Sequence, residues 1–360
     1  MRRRRPPVRR TTALALSALL LPALAACGSN DGDKNGDAKD AKKDGATTAQ
    51  STDQLVIYSG RNEELISPII EKLEKATGTE VEVRYGDSAE LAAQILEEGE
   101  RTKAGLFFSQ DAGALGALSQ AGLLADLPQK SLEKVDKAFR GSEGDWVGVS
   151  GRSRVIAYNP EQADKAPDSV HDLVEPEWKG KVGYAPTNAS FQAFVTGMRV
   201  LEGDEATLKW LKGLKANGAK QYAKNGAILD AVDSGEVSLG LINHYYWYEK
   251  AAEVGADKLK AKIHFLPGGD PGALINAAGV GVLKDGGQDA AAVKAVDYLL
   301  SDEAQTYFAE QTKEYPLASG VTSAVKDLPP LDSLDAPEID LGKLDSLQQT
   351  LEMLKEAGLV

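Results

Sequence analysis

The stretch LVIYSGRNEELISPIIEKLEKATGTEVEVRYGDSAELAAQILEEGERTKAGLFF, residues 55–108, decides the fold. Residues 55–58 are a short apolar run of strand type. Residues 64–77 follow with Leu65, Ile66, Ile69, Ile70 and Leu73 at helical spacing and Gly78 as the stop. Residues 81–85 read as a second strand. Asp87-Ser88-Ala89-Glu90 has the spacing of a capping box with Asp87 at the cap, and it opens a helix through Leu91, Ile95 and Leu96. Residues 106–108 are a third strand. This βαβαβ order predicts parallel strands covered on both faces by helices, and right-handed crossovers align their carboxyl ends along one edge.

The alternation recurs downstream. Strands are predicted at 182–185, 221–224, 237–243 and 263–266, and helices at 191–201, 205–218 and 227–233. Two such units predict an α/β fold of two lobes, each a central sheet flanked by helices, with a cleft between them. Residues 279–283 read as a return strand, the helical pattern over 289–311 as an element packed back on the first lobe, and 339–359 as holding one more amphipathic helix. The expected division is 55–153 plus 276–326 for the first lobe and 154–275 plus 327–360 for the second. Ligands of open α/β sheets sit outside the carboxyl ends of the strands, which directs attention to residues 59–62, 109–112, 186–190, Asn225 and 243–248.

The amino terminus gives an address. Arg2–Arg5, Arg9 and Arg10 precede an apolar run over 13–26 that is too short to span a bilayer and ends in Leu24-Ala25-Ala26-Cys27. The pattern predicts a lipoprotein signal peptide over 1–26, with Cys27 as the lipidated first mature residue. The plainer alternative is an ordinary secretory peptide with an incidental cysteine, although Cys27 is the only cysteine in the chain. Up to residue 54 the composition is Ser, Asn, Asp, Gly, Lys and Ala, that of a disordered tether. No later stretch is long and apolar enough to be a transmembrane helix, and 42% hydrophobic residues mark a globular remainder. A formal charge of -13 argues against a nucleic-acid partner.

Catalytic signatures are missing: there is no Gly-x-Ser-x-Gly elbow, no His-Glu-x-x-His and no phosphate-binding Gly-rich loop ending in Lys-Ser or Lys-Thr. His171, His244 and His264 are scattered, and His244 reads as structural. An enzyme is therefore not expected, nor a His-rich zinc site.

The densest polar aromatic run is Asn243-His244-Tyr245-Tyr246-Trp247-Tyr248. Along a continuing strand Tyr245 and Tyr246 would point to opposite faces, whereas at a strand end both hydroxyls could reach one cleft. Adjacent phenols suit a hard, highly charged cation such as Fe3+, whose field can ionise a group of ordinary pKa about 10. The other reading is an aromatic end packed on the sheet with its hydroxyls in water.

Residues 150–154 (SGRSR), 178–184 (WKGKVGY), 210–215 (WLKGLK), 241–248 (LINHYYWY) and 270–274 (DPGAL) together resemble the periplasmic ferric-ion-binding proteins, a likeness running from about Leu55 to Leu317. The resemblance implies the two-lobed type II periplasmic-binding fold. It also implies the role of an extracytoplasmic solute-binding protein that delivers Fe3+ to the permease and ATPase of an ABC importer; with no sign of oligomerisation in the sequence, a monomer is expected, anchored to the cell membrane through Cys27. The family's adjacent iron-binding tyrosines match Tyr245 and Tyr246. Its histidine after the first strand and glutamate after the third fall here on Asn62 and Gln110, neutral amides that bind Fe3+ weakly. Some family members complete the site with an exogenous anion. By the same resemblance the phosphate-holding loop matches Asn188, Ala189 and Ser190, and anion-contacting asparagines match Asn225 and Asn243.

Arg61, beside Asn62, could fix carbonate, phosphate or citrate, or could be a solvated rim residue. Arg152 and Arg154 stand where the family's chain first crosses between lobes, facing the anion or stapling the hinge to a carboxylate. A rival keeps the fold but changes the cargo: an organic anion, phosphonate or sugar-like solute against a wall of Tyr245, Tyr246 and Trp247, with the iron site lost.

Overall fold

The first lobe opens with β1 (Gln54–Ser59), α1 (Glu63–Thr77), β2 (Glu80–Tyr85), α2 (Ser88–Glu98), β3 (Leu106–Ser109), α3 (Ala112–Gln120) and the short α4 (Gln129–Leu132). These come from a computed structural model that describes residues 54–360. The expected signal peptide, Cys27 and all of the tether but Gln54 lie outside the described residues. β1 pairs in parallel with β2 on one side and β3 on the other, as the βαβαβ pattern predicts. α1 buries Ile66, Ile69, Ile70 and Leu73 and stops at Gly78, whose φ of 69° suits glycine. Asp87 caps α2 by accepting from the Ala89 amide at 2.9 Å.

A long strand, β4 (Trp146–Tyr158), leads into β5 (Val182–Tyr184), α5 (Ala189–Glu202), α6 (Asp204–Ala216), β6 (Lys220–Gln221), α7 (Asn225–Ser234), β7 (Leu239–Asn243), α8 (Tyr245–Val254) and β8 (Lys262–His264). The chain returns through β9 (Ile275–Val282), α9 (Asp289–Leu299), α10 (Asp302–Glu310) and β10 (Tyr315–Pro316), and ends in α11 (Leu347–Glu356). The strand order is β2-β1-β3-β9-β4-β7-β5-β6.

β4 joins the lobes. Over 146–153 it pairs antiparallel with β9, and over 154–158 with β7 and β8. The chain thus changes sheets between Ser153 and Arg154, and β9 begins at the same level, with Ile275 opposite Ser153. One core gathers Phe107, Phe108, Trp146 and Val280; a second holds Tyr184, Phe191, Phe194 and Trp210; a third, with Ile228, Val232 and Ile242, joins the second as a core of the other sheet. Leu341 and Leu344 belong to the first core and Met353 and Leu354 to the second, so the C-terminal segment touches both lobes.

Four details depart from expectation. β4 lacks the alternation that marks a half-exposed strand, because its first twelve residues are buried and it carries Gly148, Gly151, Arg152 and Arg154. The strand expected at 221–224 is confined to Lys220–Gln221. The helical pattern over 289–311 is two helices, broken where Ser301 caps α10. The tyrosine run belongs to a helix from its first tyrosine rather than to a strand end. Among the described residues no helix is long and apolar enough to cross a membrane.

Candidate functional site

The carboxyl ends of the strands from both lobes face a cleft of about 500 Å³. The exit of β1 contributes Gly60, Arg61 and Asn62, that of β3 Gln110, and the start of α5 Asn188, Ala189 and Ser190; α8 adds Tyr245, Tyr246 and Glu249, and the segment before β10 adds Glu314. Gly60 is required by a close approach. A Cβ there would lie 1.8 Å from Ser88 Oγ, the atom that accepts from the Gln110 amide at 2.9 Å and so fixes the exit of β3 against α2.

The β7 ladder ends at Asn243, and His244 already has helical φ and ψ of -56° and -41°. Turning into a helix at this point brings Tyr245 and Tyr246 to one side: their rings stack with centroids 4.3 Å apart at 26°. Both line the cleft. His244 is fully buried. Its Nδ1 accepts from Ser153 N at 3.2 Å and its Nε2 lies 3.0 Å from the Lys313 carbonyl, to which the neutral tautomer donates. Burial lowers its pKa to about 4, so it is an uncharged tie between β4, α8 and the Glu314 segment, in keeping with the structural role expected of it.

Burial raises the pKa of Tyr245 well above the ordinary phenol value; the neighbouring Tyr246 adds to the rise and Arg152 opposes it. Tyr246 is raised too, chiefly by burial, with Tyr245 and Arg152 pulling it down and Glu249 pushing it up. Both are neutral phenols in the free protein, so a ligand that ionises them must bring positive charge.

Arg61 is buried, not a solvated rim residue. Its Nη1 donates to Glu314 Oε1 and Gln110 Oε1, both at 3.0 Å, and its Nη2 to Glu314 Oε2 at 2.6 Å. The guanidinium lends the cleft its charge while its two Nη groups serve Glu314 and Gln110. Glu314 also accepts from Ser150 Oγ and Thr312 Oγ1, and Arg152 lies 3.5 Å away. Burial alone would raise the Glu314 carboxyl, but Arg61 and Arg152 hold it down at about 2. Arg152, which also donates to the Gln110 carbonyl, thus staples the crossover to a carboxylate. Among the described residues Arg154 has no acid within ion-pair distance. It reaches Ser190 O and Asn243 Oδ1 at 3.2 and 3.4 Å and lies over the rings of Phe191 and Phe194. Burial lowers its pKa to about 9, which leaves it a cation at neutral pH.

Asn62 caps α1 through the Leu65 amide at 3.2 Å. Asn188 caps α5, its Oδ1 accepting from Ser190 N at 3.1 Å, Ser190 Oγ at 2.6 Å and Asn225 Nδ2 at 3.0 Å. The side chain of Asn188 therefore occupies part of the anion-holding position the sequence suggests. Asn225 and Asn243 are buried behind the cleft wall, not on it, and among the described residues Asn225 Oδ1 has no hydrogen-bond partner. Trp247 is also absent from the wall: its Nε1 donates to Ala261 O at 2.7 Å and its ring packs on the third core, so the stacking wall of the rival reading is incomplete.

Two acids of the cleft escaped the sequence reading. Glu314 is 253 residues from Arg61, and no local pattern links them. Glu249 had a signal: once the run is read as a helix from Tyr245, Glu249 stands four residues on, on the same face. Its Oε1 is buried without a partner, and burial together with Glu314 pushes its carboxyl up to about 7 against Lys313 and Arg61. Among the described residues no three His, Cys, Asp or Glu side chains are grouped to hold a metal, whereas the cleft wall carries the phenols of Tyr245 and Tyr246.

Residues 102–340 match the model of the bacterial extracellular solute-binding protein family. The chain is 36% identical over 313 residues to the major ferric iron-binding protein of Neisseria meningitidis, a match covering 85% of this chain and 93% of that one. The crystal structure of iron-bound HitA from Pseudomonas aeruginosa superposes with a TM-score of 0.79 at 36% identity, covering 85% of this chain and 99% of the other. The Trichodesmium protein IdiA, or FutA, solved with iron and citrate ligands, superposes with a TM-score of 0.72 at 27% identity, with 85% and 99% covered. With two lobes joined through β4, a cleft at the strand ends and paired tyrosines in its wall, this chain belongs to the bacterial extracellular solute-binding proteins, in the ferric-ion-binding branch of that family.

Proposed function

We propose that the protein binds ferric iron outside the cytoplasm and delivers it to the permease and ATPase of an ABC importer. The observation that carries this reading is the stacked pair Tyr245 and Tyr246, both on the cleft wall and both neutral until a cation ionises them. The relatives named for ferric iron support the same cargo. Asn62 and Gln110 offer only amides, so an exogenous anion, carbonate, phosphate or citrate, completes the coordination. It lies against Ala189 and Ser190 at the start of α5, within the field of Arg61 and Arg154, while Asn188, Asn225 and Asn243 shape that wall. The Trichodesmium structure solved with iron and citrate ligands is one parallel for such an arrangement.

The lobes are taken as 55–153 plus 276–326 and 154–275 plus 327–360, hinged where β4 changes sheets. Iron closes them, the closed form docks on the permease as a monomer, and release follows opening and reprotonation of the phenols. Cys27, lipidated after removal of residues 1–26, anchors the protein to the membrane, with the segment up to residue 54 as tether. Thermal unfolding tests the cargo. Ferric citrate should raise the melting temperature and citrate alone should not, because a ligand that binds only the folded state stabilises it; equal shifts with both would remove iron from the account.

A further inference from the structure

We propose that Glu249 is a third protein ligand to the ferric ion, taking the place of the carboxylate that Gln110 cannot supply. The inference rests on the iron reading of the cleft and adds a residue to it. Three observations carry it. Tyr245, Tyr246 and Glu249 occupy positions i, i+1 and i+4 of α8, and all three line the same cleft. Glu249 Oε1 is buried with no hydrogen-bond partner, an arrangement that costs stability unless the atom has another use. Among the described residues no basic side chain forms an ion pair with it: Arg61 and Arg152 are within ion-pair distance of Glu314, and Lys313 reaches the Glu310 carbonyl.

The charges agree with this assignment. A trivalent ion facing two phenolates keeps one positive charge, and a single carboxylate neutralises it. On loading, the two phenolic protons and any carboxyl proton pass to solvent or to the chelator that surrenders the metal, and no electron moves. The anion then fills coordination positions without having to balance charge. Removing Glu249 should therefore weaken iron binding and make it more dependent on the anion.

The test loads the full-length protein and Glu249→Gln with ferric citrate, follows the visible phenolate-to-iron band, and challenges each with increasing citrate. The amide variant should develop the band at a shifted position and surrender iron at about one-tenth or less of the citrate concentration the wild type withstands. Equal citrate resistance with an unshifted band would overturn the assignment. A wild type that develops no band would instead defeat the iron reading beneath it, so the two failures are distinguishable. Thermal unfolding of the metal-free variants checks folding, and Glu249→Ala, with the same expected result, serves if the amide variant does not fold.

Discussion

Glu314 shows what a buried charge needs in order to remain charged. Its side chain is 2% exposed, and it is held by Arg61 from one loop, Arg152 from β4 and the hydroxyls of Ser150 and Thr312. Glu314→Gln would leave two buried guanidiniums without their shared anion, and we expect the metal-free protein to lose about 3–5 kcal/mol of unfolding free energy in urea titrations. Because the folded pKa lies below the ordinary glutamate value of 4.5, the stabilisation is complete above that value and disappears as pH falls toward about 2. The acid side of the wild-type stability profile should therefore be steeper than that of the variant between those values; parallel profiles would contradict the assignment. Tyr245 and Tyr246 were legible from sequence because they are adjacent, and Glu249 was within reach because helical spacing connects it to them. Glu314 was not, since its partners come from chain segments with no sequence relation to it.

At the level of elements, the site depends on where helices start. α8 begins two residues after the β7 ladder ends, with only His244 between, which is why two consecutive side chains share a face that a strand would have split. α5 begins at Asn188, whose side chain caps the helix and also receives Asn225 Nδ2. Asn188→Ala should destabilise the protein by about 1 kcal/mol in the same urea assay. Unchanged stability would mean the cap contributes nothing. Amphipathic helices such as α1 were readable because one face is buried and the other is not. β4 was not, because a strand buried on both sides has no period to detect, and its arginines resemble loop residues until their partners are known.

On the scale of the molecule, β4 and the start of β9 run side by side where the chain passes between lobes, so a small rotation about Ser153–Arg154 moves the wall that carries Asn188 and Tyr245 against the wall that carries Asn62 and Gln110. Small-angle scattering should show a smaller radius of gyration when ferric citrate is added and no change with citrate alone; an unchanged radius in both would leave closure without support. The two-lobe architecture was visible in the sequence through its two βα series, whereas the division of the C-terminal segment between both cores was not, because one amphipathic face does not say which partner it covers. The central claim is that the stacked phenols hold the iron. Its most direct measurement is the visible spectrum of the protein titrated with ferric citrate: a phenolate-to-iron band should appear in the wild type and be abolished in Tyr245→Phe, and a wild-type protein that stays colourless under carbonate, phosphate and citrate alike would contradict it.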